Sequence, residues 1–321
     1  MKKILALVLA ALMLLSTLSA CKSVEAPSDT KPAETNEPPA APETTEPAEE
    51  ETKEPAEEEP TQEELDQQAA DEVAAMIDAI YVQTRTEETD AQCEAAKAAW
   101  DALTDAQKEL VEGEEASPEY FGRDTGDASL DDARNQDEIG ENELLVVSFG
   151  TSFNASRVAD IKAIEDALQE ANPDWSVRRA FTAQIIINHI QARDGEKIDN
   201  MEQALERAVA NGVKNLVVQP THLMHGAEYD EMCEAIDNYR EHFESVSIAE
   251  PLLGEVGSDA TVINADKEAV AKAVVAAAVA DSDFESLDAA KEAGTAFVLM
   301  GHGTAHVAKV SYSQMQTQMQ L

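Results

Sequence analysis

Short apolar runs alternate with amphipathic segments between about residue 143 and residue 300. The first run, Leu144–Phe149, has the length of a buried strand, and apolar residues at helical spacing follow it. The other predicted strands are Ser176–Phe181, Asn215–Gln219, Val246–Ala249 and Ala296–Met300, and the predicted helices lie near Ala183–Ala192, Met201–Ala210, Ala227–Phe243 and Lys267–Ala280. Strands that alternate with helices of this length form βαβ units, so the sequence predicts an α/β domain with a parallel sheet. Ligands of such sheets bind at the carboxyl ends of the strands, and the loops there are the candidate functional sites.

The loop at residues 148–152 follows the first predicted strand and is rich in hydroxyl groups. Its hydroxyls, together with the free N–H groups at a helix start, could hold a carboxylate or a phosphate. It lacks both the G-x-G-x-x-G spacing and the lysine of a phosphate-binding loop. The motif alone therefore indicates an anion-contacting turn and no particular ligand.

Four of the six histidines lie in two further loops. Residues 221–229 contain two histidines, the first of them His222, together with Glu228. Residues 300–306 place His302 between two glycines, which let the backbone come close to a flat or bulky ligand. Neutral imidazole is a common ligand of late divalent metals, and a nearby carboxylate can accept protons. Strand-end histidines also occur as ordinary hydrogen-bonding residues, so both interpretations stay open. Neither loop has the spacing of a preformed zinc site, and a metal would be held by few protein ligands.

The N-terminus has the pattern of a secretory signal. Lys2 and Lys3 precede an apolar run, Ile4–Leu18, and residues 1–20 are predicted to be a signal peptide. The Leu-Ser-Ala sequence before Cys21 resembles a bacterial lipobox. Cys21 is therefore predicted to be the lipid anchor of an exported protein on the outer face of the cytoplasmic membrane. The alternative is plain secretion with cleavage nearby, in which Cys21 has no special role.

Residues 21–60 consist largely of Glu, Pro, Thr and Ala and carry almost no large apolar side chains. Such a segment cannot offset an ordering cost of roughly 1–2 kcal/mol per residue, so it is predicted to be a disordered tether. It adds to a strong acid excess, with 65 Asp+Glu against 23 Lys+Arg and a formal net charge of -42. This excess argues against a nucleic-acid-binding protein, which needs clustered basic residues opposite the phosphates.

Residues 61–112 are predicted to form a small bundle of three helices. Thr61–Glu64 and Thr104–Gln107 have capping-box spacing, and Trp100 is expected in the core. No side chain here suggests chemistry, so the bundle is interpreted as a spacer or a protein-interaction module. Residues 113–142 return to an acidic, glycine-containing composition and are predicted to be a second solvated linker.

Two segments of the chain are similar to each other in sequence. Residues 145–153 align with residues 298–306, so that one Gly-Thr pair falls on another. The second copy is interpreted as the opening strand and turn of a similar α/β domain. Residues 296–321 are too few to close a core, so the chain is predicted to be a truncated form of a longer protein. The alternative is a short chance match.

Several motifs occur in the order seen in one family. They are Leu145–Ser152, Arg179–Thr182, Arg193–Gly195, His222 with Gly226–Tyr229, Pro251–Leu253 and Met300–Gly303. From about Glu143 to its end, the chain resembles the anaerobic-type sirohydrochlorin cobalt chelatases. The resemblance implies a two-domain class II chelatase fold of the ferrochelatase kind, with the tetrapyrrole in the cleft between the domains. Residues 143–295 would form the first domain, and the second would be largely missing.

The resemblance also implies residue roles. The histidine matching His302 ligates the incoming metal, and the glutamate matching Glu228 takes part in metal binding or proton removal, so both are predicted to be catalytic and metal-binding. His222 matches a family position in the wall of the cleft. From its position at the end of the first strand, the loop is also predicted to bind the macrocycle's carboxylates, which adds Ser148, Phe149, Gly150, Thr151 and Ser152 to the substrate-binding residues. A second metal-binding histidine of the family lies in the C-terminal domain, past the last residue of this sequence.

The implied function is insertion of Co²⁺ into sirohydrochlorin in anaerobic cobalamin synthesis, with cobalt as a substrate metal and no organic cofactor. Nickel and iron also suit imidazole ligands, so the natural metal stays open. The expected partners are the tetrapyrrole and the membrane, without nucleic acid, and a homo-oligomer is compatible with the sequence. The export signal motivates an alternative, a membrane-tethered tetrapyrrole or metal carrier without turnover. A third interpretation is a surface adhesin that binds its partners through residues 61–112.

Overall fold

The computed structural model describes residues 60–320, and a four-stranded sheet forms the centre of its α/β part. The strands are β1 (Asn142–Ser148), β2 (Ser176–Phe181), β3 (Asn215–Pro220) and β4 (Ser245–Ile248). Every hydrogen-bonded pair is parallel, and the order across the sheet is β2-β1-β3-β4. The prediction of an α/β fold with a parallel sheet is confirmed. The predicted signal peptide, Cys21 and all of the tether except Pro60 lie outside the described residues.

Helices precede the sheet, cover it and follow it. They are α1 (Gln62–Ile80), α2 (Thr89–Ala102), α3 (Asp105–Lys108), α4 (Glu119–Gly122), α5 (Asn154–Ser156), α6 (Ala163–Ala171), α7 (Gln184–Asp194), α8 (Met201–Ala210), α9 (Ala227–Asp237), α10 (Ala265–Ala280), α11 (Leu287–Glu292) and α12 (Val310–Gln320). A π-helical stretch, Arg157–Lys162, joins α5 to α6. The helix predicted at Ala227–Phe243 ends earlier, at Asp237, and a short 3-10 turn, Arg240–His242, follows it. Within residues 60–320, no helix combines the length and apolar character that a membrane crossing requires.

β1 is buried on both of its faces because helices cover both. Leu145 and Val147 pack with residues of α8 and α9 on one face, whereas Leu144 and Val146 pack with Leu168 of α6 on the other. Successive side chains of a strand point to opposite faces, so a strand that is covered twice reads as a continuous apolar run. The burial of both faces explains the continuous apolar pattern of the first predicted strand.

The order of the strands reverses at β1, which has β2 on one side and β3 on the other. In an open parallel sheet, such a reversal leaves a crevice beyond the carboxyl ends of the central strands. The loop after β1 and the loop after β3 therefore flank the place where a ligand is expected.

The fifth predicted strand, Ala296–Met300, does not form, so that prediction was wrong. The segment pairs with no strand among the described residues, and Val298 is 87% exposed. Apolar and β-branched side chains favour a strand only where a neighbouring strand satisfies the backbone groups and a second layer covers the side chains. Neither condition is met for this segment within residues 60–320.

Residues 61–112 contain the three predicted helices, but they are packed against the α/β part. Their core includes Trp100, Ile77 and Cys93, and Ala192 of α7 belongs to the same apolar cluster. The amide of Asn188, also on α7, donates a hydrogen bond of 2.9 Å to the carbonyl oxygen of Ile80. Trp100 is 4% exposed, which confirms the prediction that it lies in the core.

Residues 113–142 were predicted to be a solvated linker, and the structure contradicts this. The carboxylate of Asp78 accepts hydrogen bonds from the backbone N–H groups of residues 114–116 at 2.8–2.9 Å and holds the chain against α1. Tyr120 and Phe121 are each 8% exposed, and the Phe121 ring meets Trp100 edge to face. The acidic side chains dominate the composition of this segment, but a few well-placed apolar residues are enough to fix it.

Candidate functional site

A cavity of about 810 Å³ lies in the crevice beyond the carboxyl ends of β1 and β3. Its walls come from residues 148–153, residues 221–228, residues 302–305 and the helical segment that begins at α5. All the residues predicted to contact substrate or metal line this one cavity, namely Ser148, Phe149, Gly150, Thr151, Ser152, His222, Glu228 and His302. The strand order brings the loops after β1 and β3 together, and residues 302–305, which follow no strand among the described residues, complete the wall.

The first loop turns sharply at Gly150. Its φ of +103° belongs to the region that favours glycine, and a Cβ placed there would lie 2.6 Å from the ring of Phe181. The Thr221 hydroxyl donates a hydrogen bond of 2.8 Å to Ser148 Oγ and ties the ends of β1 and β3 together. Thr151 Oγ1 accepts a hydrogen bond from the N–H of Phe153 and keeps its own proton for donation. The loop therefore presents hydroxyl donors to the cavity from a backbone that cannot easily move.

Two arginines outside the cavity lining stabilise this loop by hydrogen bonds to its backbone. Arg157 Nη1 donates to the carbonyl oxygen of Thr151 at 3.3 Å, and Arg193 Nη2 donates to that of Ser152 at 2.6 Å. Neither arginine lines the cavity, and no lysine or arginine does so among the described residues. The positive charges fix the loop without facing the ligand.

His302 lies in the exposed turn between Gly301 and Gly303, and its ring has a defined orientation. Its Nδ1 atom lies 2.9 Å from the carbonyl oxygen of Gly303, which can only accept a hydrogen bond. In the neutral imidazole this contact places the proton on Nδ1 and leaves the lone pair on Nε2, the nitrogen that would bind a metal. The N–H of Gly303 donates to the hydroxyl of Tyr312 on α12 at 2.9 Å and anchors the turn.

His222 occupies a different environment in the same cavity. Neither of its ring nitrogens has a hydrogen-bond partner among the described residues, although both are buried. Burial lowers the pKa of His222, and the nearby Glu228 carboxylate only partly opposes this effect. The imidazole is thus neutral at neutral pH and has a donor and an acceptor left to satisfy. Such a group is costly in an apolar wall and is a reason to expect a polar ligand beside it.

The other two histidines of these loops do not line the cavity. His225 Nε2 lies 2.5 Å from a carboxylate oxygen of Glu250, and His306 Nε2 lies 3.3 Å from one of Asp230. These pairs match the alternative interpretation of strand-end histidines as ordinary hydrogen-bonding residues. Only one histidine from each loop is therefore available to a ligand in the cavity.

Several lining residues were missed in the sequence. They are Asp160, Ile161 and Ile164, which follow the first loop, Ile186 on α7, and Tyr312 on α12. The helical spacing of the isoleucines was visible but indicated only a packed face. Asp160 lies on that helical segment without any motif around it, so no signal marked it.

A metal in this part of the chain would have few protein ligands. Within residues 60–320, no three His, Cys, Asp or Glu side chains converge closely enough to hold a metal ion.

The crevice at the strand-order reversal, lined by the imidazoles of His222 and His302 and by carboxylates, has the arrangement of a ligand-binding α/β domain. A model of the family described as cobalt chelatase (CbiK) matches residues 142–321. Because this match covers more than half of the chain, the protein belongs to the CbiK family of cobalt chelatases.

Two curated relatives are similar to the same region. The sirohydrochlorin cobaltochelatase of Salmonella typhimurium is 31% identical over 170 residues, which are 53% of this chain and 58% of the relative. The sirohydrochlorin cobaltochelatase CbiKC of Nitratidesulfovibrio vulgaris is 28% identical over 191 residues, which are 58% of this chain and 61% of the relative. The chain thus spans less than two thirds of the length of these relatives.

Proposed function

We propose that this protein is a sirohydrochlorin cobaltochelatase that inserts Co²⁺ into the tetrapyrrole. The observation that carries the proposal is the cavity at the carboxyl ends of β1 and β3. In it, Nδ1 of His302 faces the carbonyl of Gly303 and leaves Nε2 open to a ligand, and neither ring nitrogen of His222 has a hydrogen-bond partner among the described residues. The names of both relatives, sirohydrochlorin cobaltochelatase, support sirohydrochlorin as the substrate. Cobalt enters the reaction as a substrate metal.

The residue types fit this reaction. Metal insertion requires the ion to lose water while two pyrrole N–H protons leave the macrocycle. His302 Nε2 can hold the ion beside the macrocycle. A proton can pass to the carboxylate of Glu228 or to the neutral imidazole of His222. Beyond metal delivery and proton removal, the protein needs to hold the macrocycle and the ion in one productive orientation.

The cavity walls suit the macrocycle itself. Phe149, Ile161 and Ile164 offer apolar surface to its rings, and Phe149 is 47% exposed although it is large and apolar. Thr151 and Ser152 line the same space, and their hydroxyls can donate hydrogen bonds to peripheral carboxylates.

The direct test is to add sirohydrochlorin and Co²⁺ to the purified protein and to follow the absorbance change of the tetrapyrrole. We expect metallation faster than in the absence of protein, and we expect the His302→Ala variant to lose most of this rate. His306→Ala is the matched control, because His306 lies in the same loop but pairs with Asp230 outside the cavity. Tight binding without metallation by the wild type at any protein concentration would refute the enzyme proposal.

That last result would instead support a membrane-tethered tetrapyrrole or metal carrier. The predicted export signal favours this second candidate, because corrin synthesis is cytoplasmic. A carrier should release its ligand unchanged to an acceptor protein, whereas the enzyme should release the cobalt complex.

We also propose that the mature protein is a lipoprotein anchored through Cys21 to the outer face of the cytoplasmic membrane. The sequence Leu-Ser-Ala-Cys after an apolar run supports this. In cells that express the full chain, the protein should sediment with membranes and incorporate labelled fatty acid, and Cys21→Ser should abolish both. Labelling that persists in Cys21→Ser would place the anchor elsewhere.

A further inference from the structure

Asp160 is a carboxylate in the cavity that the proposed function does not yet use. It lies on the π-helical stretch Arg157–Lys162, and Ser156 and Ile161 line the cavity beside it. A π-helical turn inserts one residue into a helix and occurs frequently at functional sites. Here the π-helical stretch follows the first loop and forms part of the cavity wall.

The surroundings of Asp160 give it no structural partner. Within the described residues its carboxylate forms no salt bridge and no hydrogen bond, and Lys162, which is close in sequence, pairs with Asp166 at 2.6 Å. Glu165, on the same helical segment, is fully buried and bonded to Arg179. Burial raises the pKa of Asp160. A partly desolvated carboxylate that stabilises nothing in the fold has a reason to face a ligand.

The charges in the cavity lining indicate which group of the ligand Asp160 would face. Among the described residues, the acidic side chains lining it are Asp160, on the segment after β1, and Glu228, after β3, and no lysine or arginine of this part of the chain accompanies them. Replacing the two central protons of a macrocycle by a divalent cation releases two protons. Two carboxylates, one on the π-helical stretch after β1 and one in the first turn of α9 after β3, match that stoichiometry.

We propose that Asp160 is a catalytic residue that accepts one of the two pyrrole protons while Glu228 accepts the other; this rests on the proposed chelatase function. As Co²⁺ binds, each N–H bond breaks and its electron pair stays on nitrogen to form a Co–N bond. Each proton passes to a carboxylate oxygen, and both carboxylic acids later lose their protons to water. Two protons leave, one divalent ion enters, and no atom is oxidised or reduced.

The kinetic test compares Asp160→Asn, which keeps the shape and removes the base, with Asp160→Glu, which keeps the base. Glu170→Gln is the matched control, because Glu170 is an exposed carboxylate on α6 outside the cavity. We expect Asp160→Asn to lower kcat by about 10²-fold with little change in KM for sirohydrochlorin, and the acid limb of the kcat profile against pH to flatten. Asp160→Glu should recover much of the rate.

An unchanged kcat in Asp160→Asn, or a change confined to KM, would overturn the proposal. A second measurement decides the case in which the wild type inserts no metal. Protonation of metal-free sirohydrochlorin in its complex with the protein is followed by absorbance against pH. A carboxylate facing the pyrrole nitrogens favours the protonated macrocycle, so Asp160→Asn should lower the pKa of the bound macrocycle by about 1 unit or more. No shift would show that Asp160 does not face these nitrogens.

Discussion

The carboxylate of Asp131 and the guanidinium of Arg157 form a salt bridge of 2.5 Å between Oδ2 and Nε, and both side chains are fully buried. Asp131 also binds the guanidinium of Arg179 at 2.7 and 2.9 Å. Because Arg157 holds the carbonyl oxygen of Thr151, this network extends to the wall of the cavity. Asp131 precedes the region that matches the chelatase family, so the preceding segment contributes to the site by supporting its first loop.

We expect Asp131→Asn to destabilise the protein by about 3 kcal/mol, because each of two buried guanidinium groups loses one of its two counter-charges and keeps only Glu196 or Glu165. Affinity for sirohydrochlorin should fall as well, since the loop loses its support. Denaturant unfolding and a fluorescence titration measure the two effects. Asp237→Asn makes the same chemical change in an exposed pair with Arg240 and should cost less than about 1 kcal/mol. Equal losses in the two variants would contradict the proposed role of the buried network.

Gly150→Ala should be more damaging than the same change at Gly140. Both glycines have positive φ, +103° and +86°, so either alanine strains the backbone. Only at Gly150 does the new methyl meet another group, the ring of Phe181, whereas nothing lies within 4 Å of it at Gly140. We expect an additional loss of about 1–3 kcal/mol at Gly150 in urea unfolding, and weaker macrocycle binding. A Gly150→Ala variant that is no less stable than Gly140→Ala would mean that the turn relaxes freely.

The sequence identified the loops of the site because their signals are local. Gly150 and Gly303 both adopt positive φ, and the threonine after each accepts a hydrogen bond from the N–H two residues further on, at 3.2 Å from Phe153 and 3.1 Å from His306. The repeated turn predicted from sequence self-similarity is thus present in the backbone. Local patterns of this kind determine local geometry wherever they occur.

What escaped prediction depends on contacts between distant residues. The acidic composition of residues 113–142 concealed Asp131, whose burial depends on two arginines far along the chain. Residues 296–300 have the apolar pattern of a strand, but strand formation depends on a neighbour that the pattern does not contain. Asp160 resembles any solvated helix residue until the strand order places its helix beside the cavity.

The stability of the protein should depend on the protonation of His189. Its ring stacks on that of Tyr120 with 4.1 Å between centroids, and burial, assisted by the charge of Arg193, lowers its pKa to about 4. In the unfolded chain the pKa is about 6.5. Between these values the unfolded state binds a proton that the folded state does not, so stability falls as the pH falls.

From about pH 7.5 to about pH 5.5, this linkage should remove about 1.4 kcal/mol from the free energy of unfolding. Because carboxylates also titrate in this range, the measurement is a difference between the wild type and His189→Phe, which keeps the aromatic stacking but cannot titrate. Urea unfolding of both proteins at the two pH values gives the difference. A wild-type curve that runs parallel to that of His189→Phe would show that the imidazole is protonated in the folded state.

The helices of residues 61–112 should unfold together with the α/β part. The protein has two tryptophans, Trp100 in this bundle and Trp175 before β2. In Trp175→Phe the fluorescence of Trp100 reports on the bundle, and in Trp100→Phe that of Trp175 reports on the α/β part. We expect the two unfolding midpoints to shift together when Ile77 is replaced by alanine, at a cost of about 2–5 kcal/mol, because Ile77 is fully buried in the cluster that includes Ala192. Met76→Ala on the same helix is the control, since Met76 is 41% exposed. If only the Trp100 signal moves, the bundle folds by itself and its contacts with α7 contribute nothing to cooperativity.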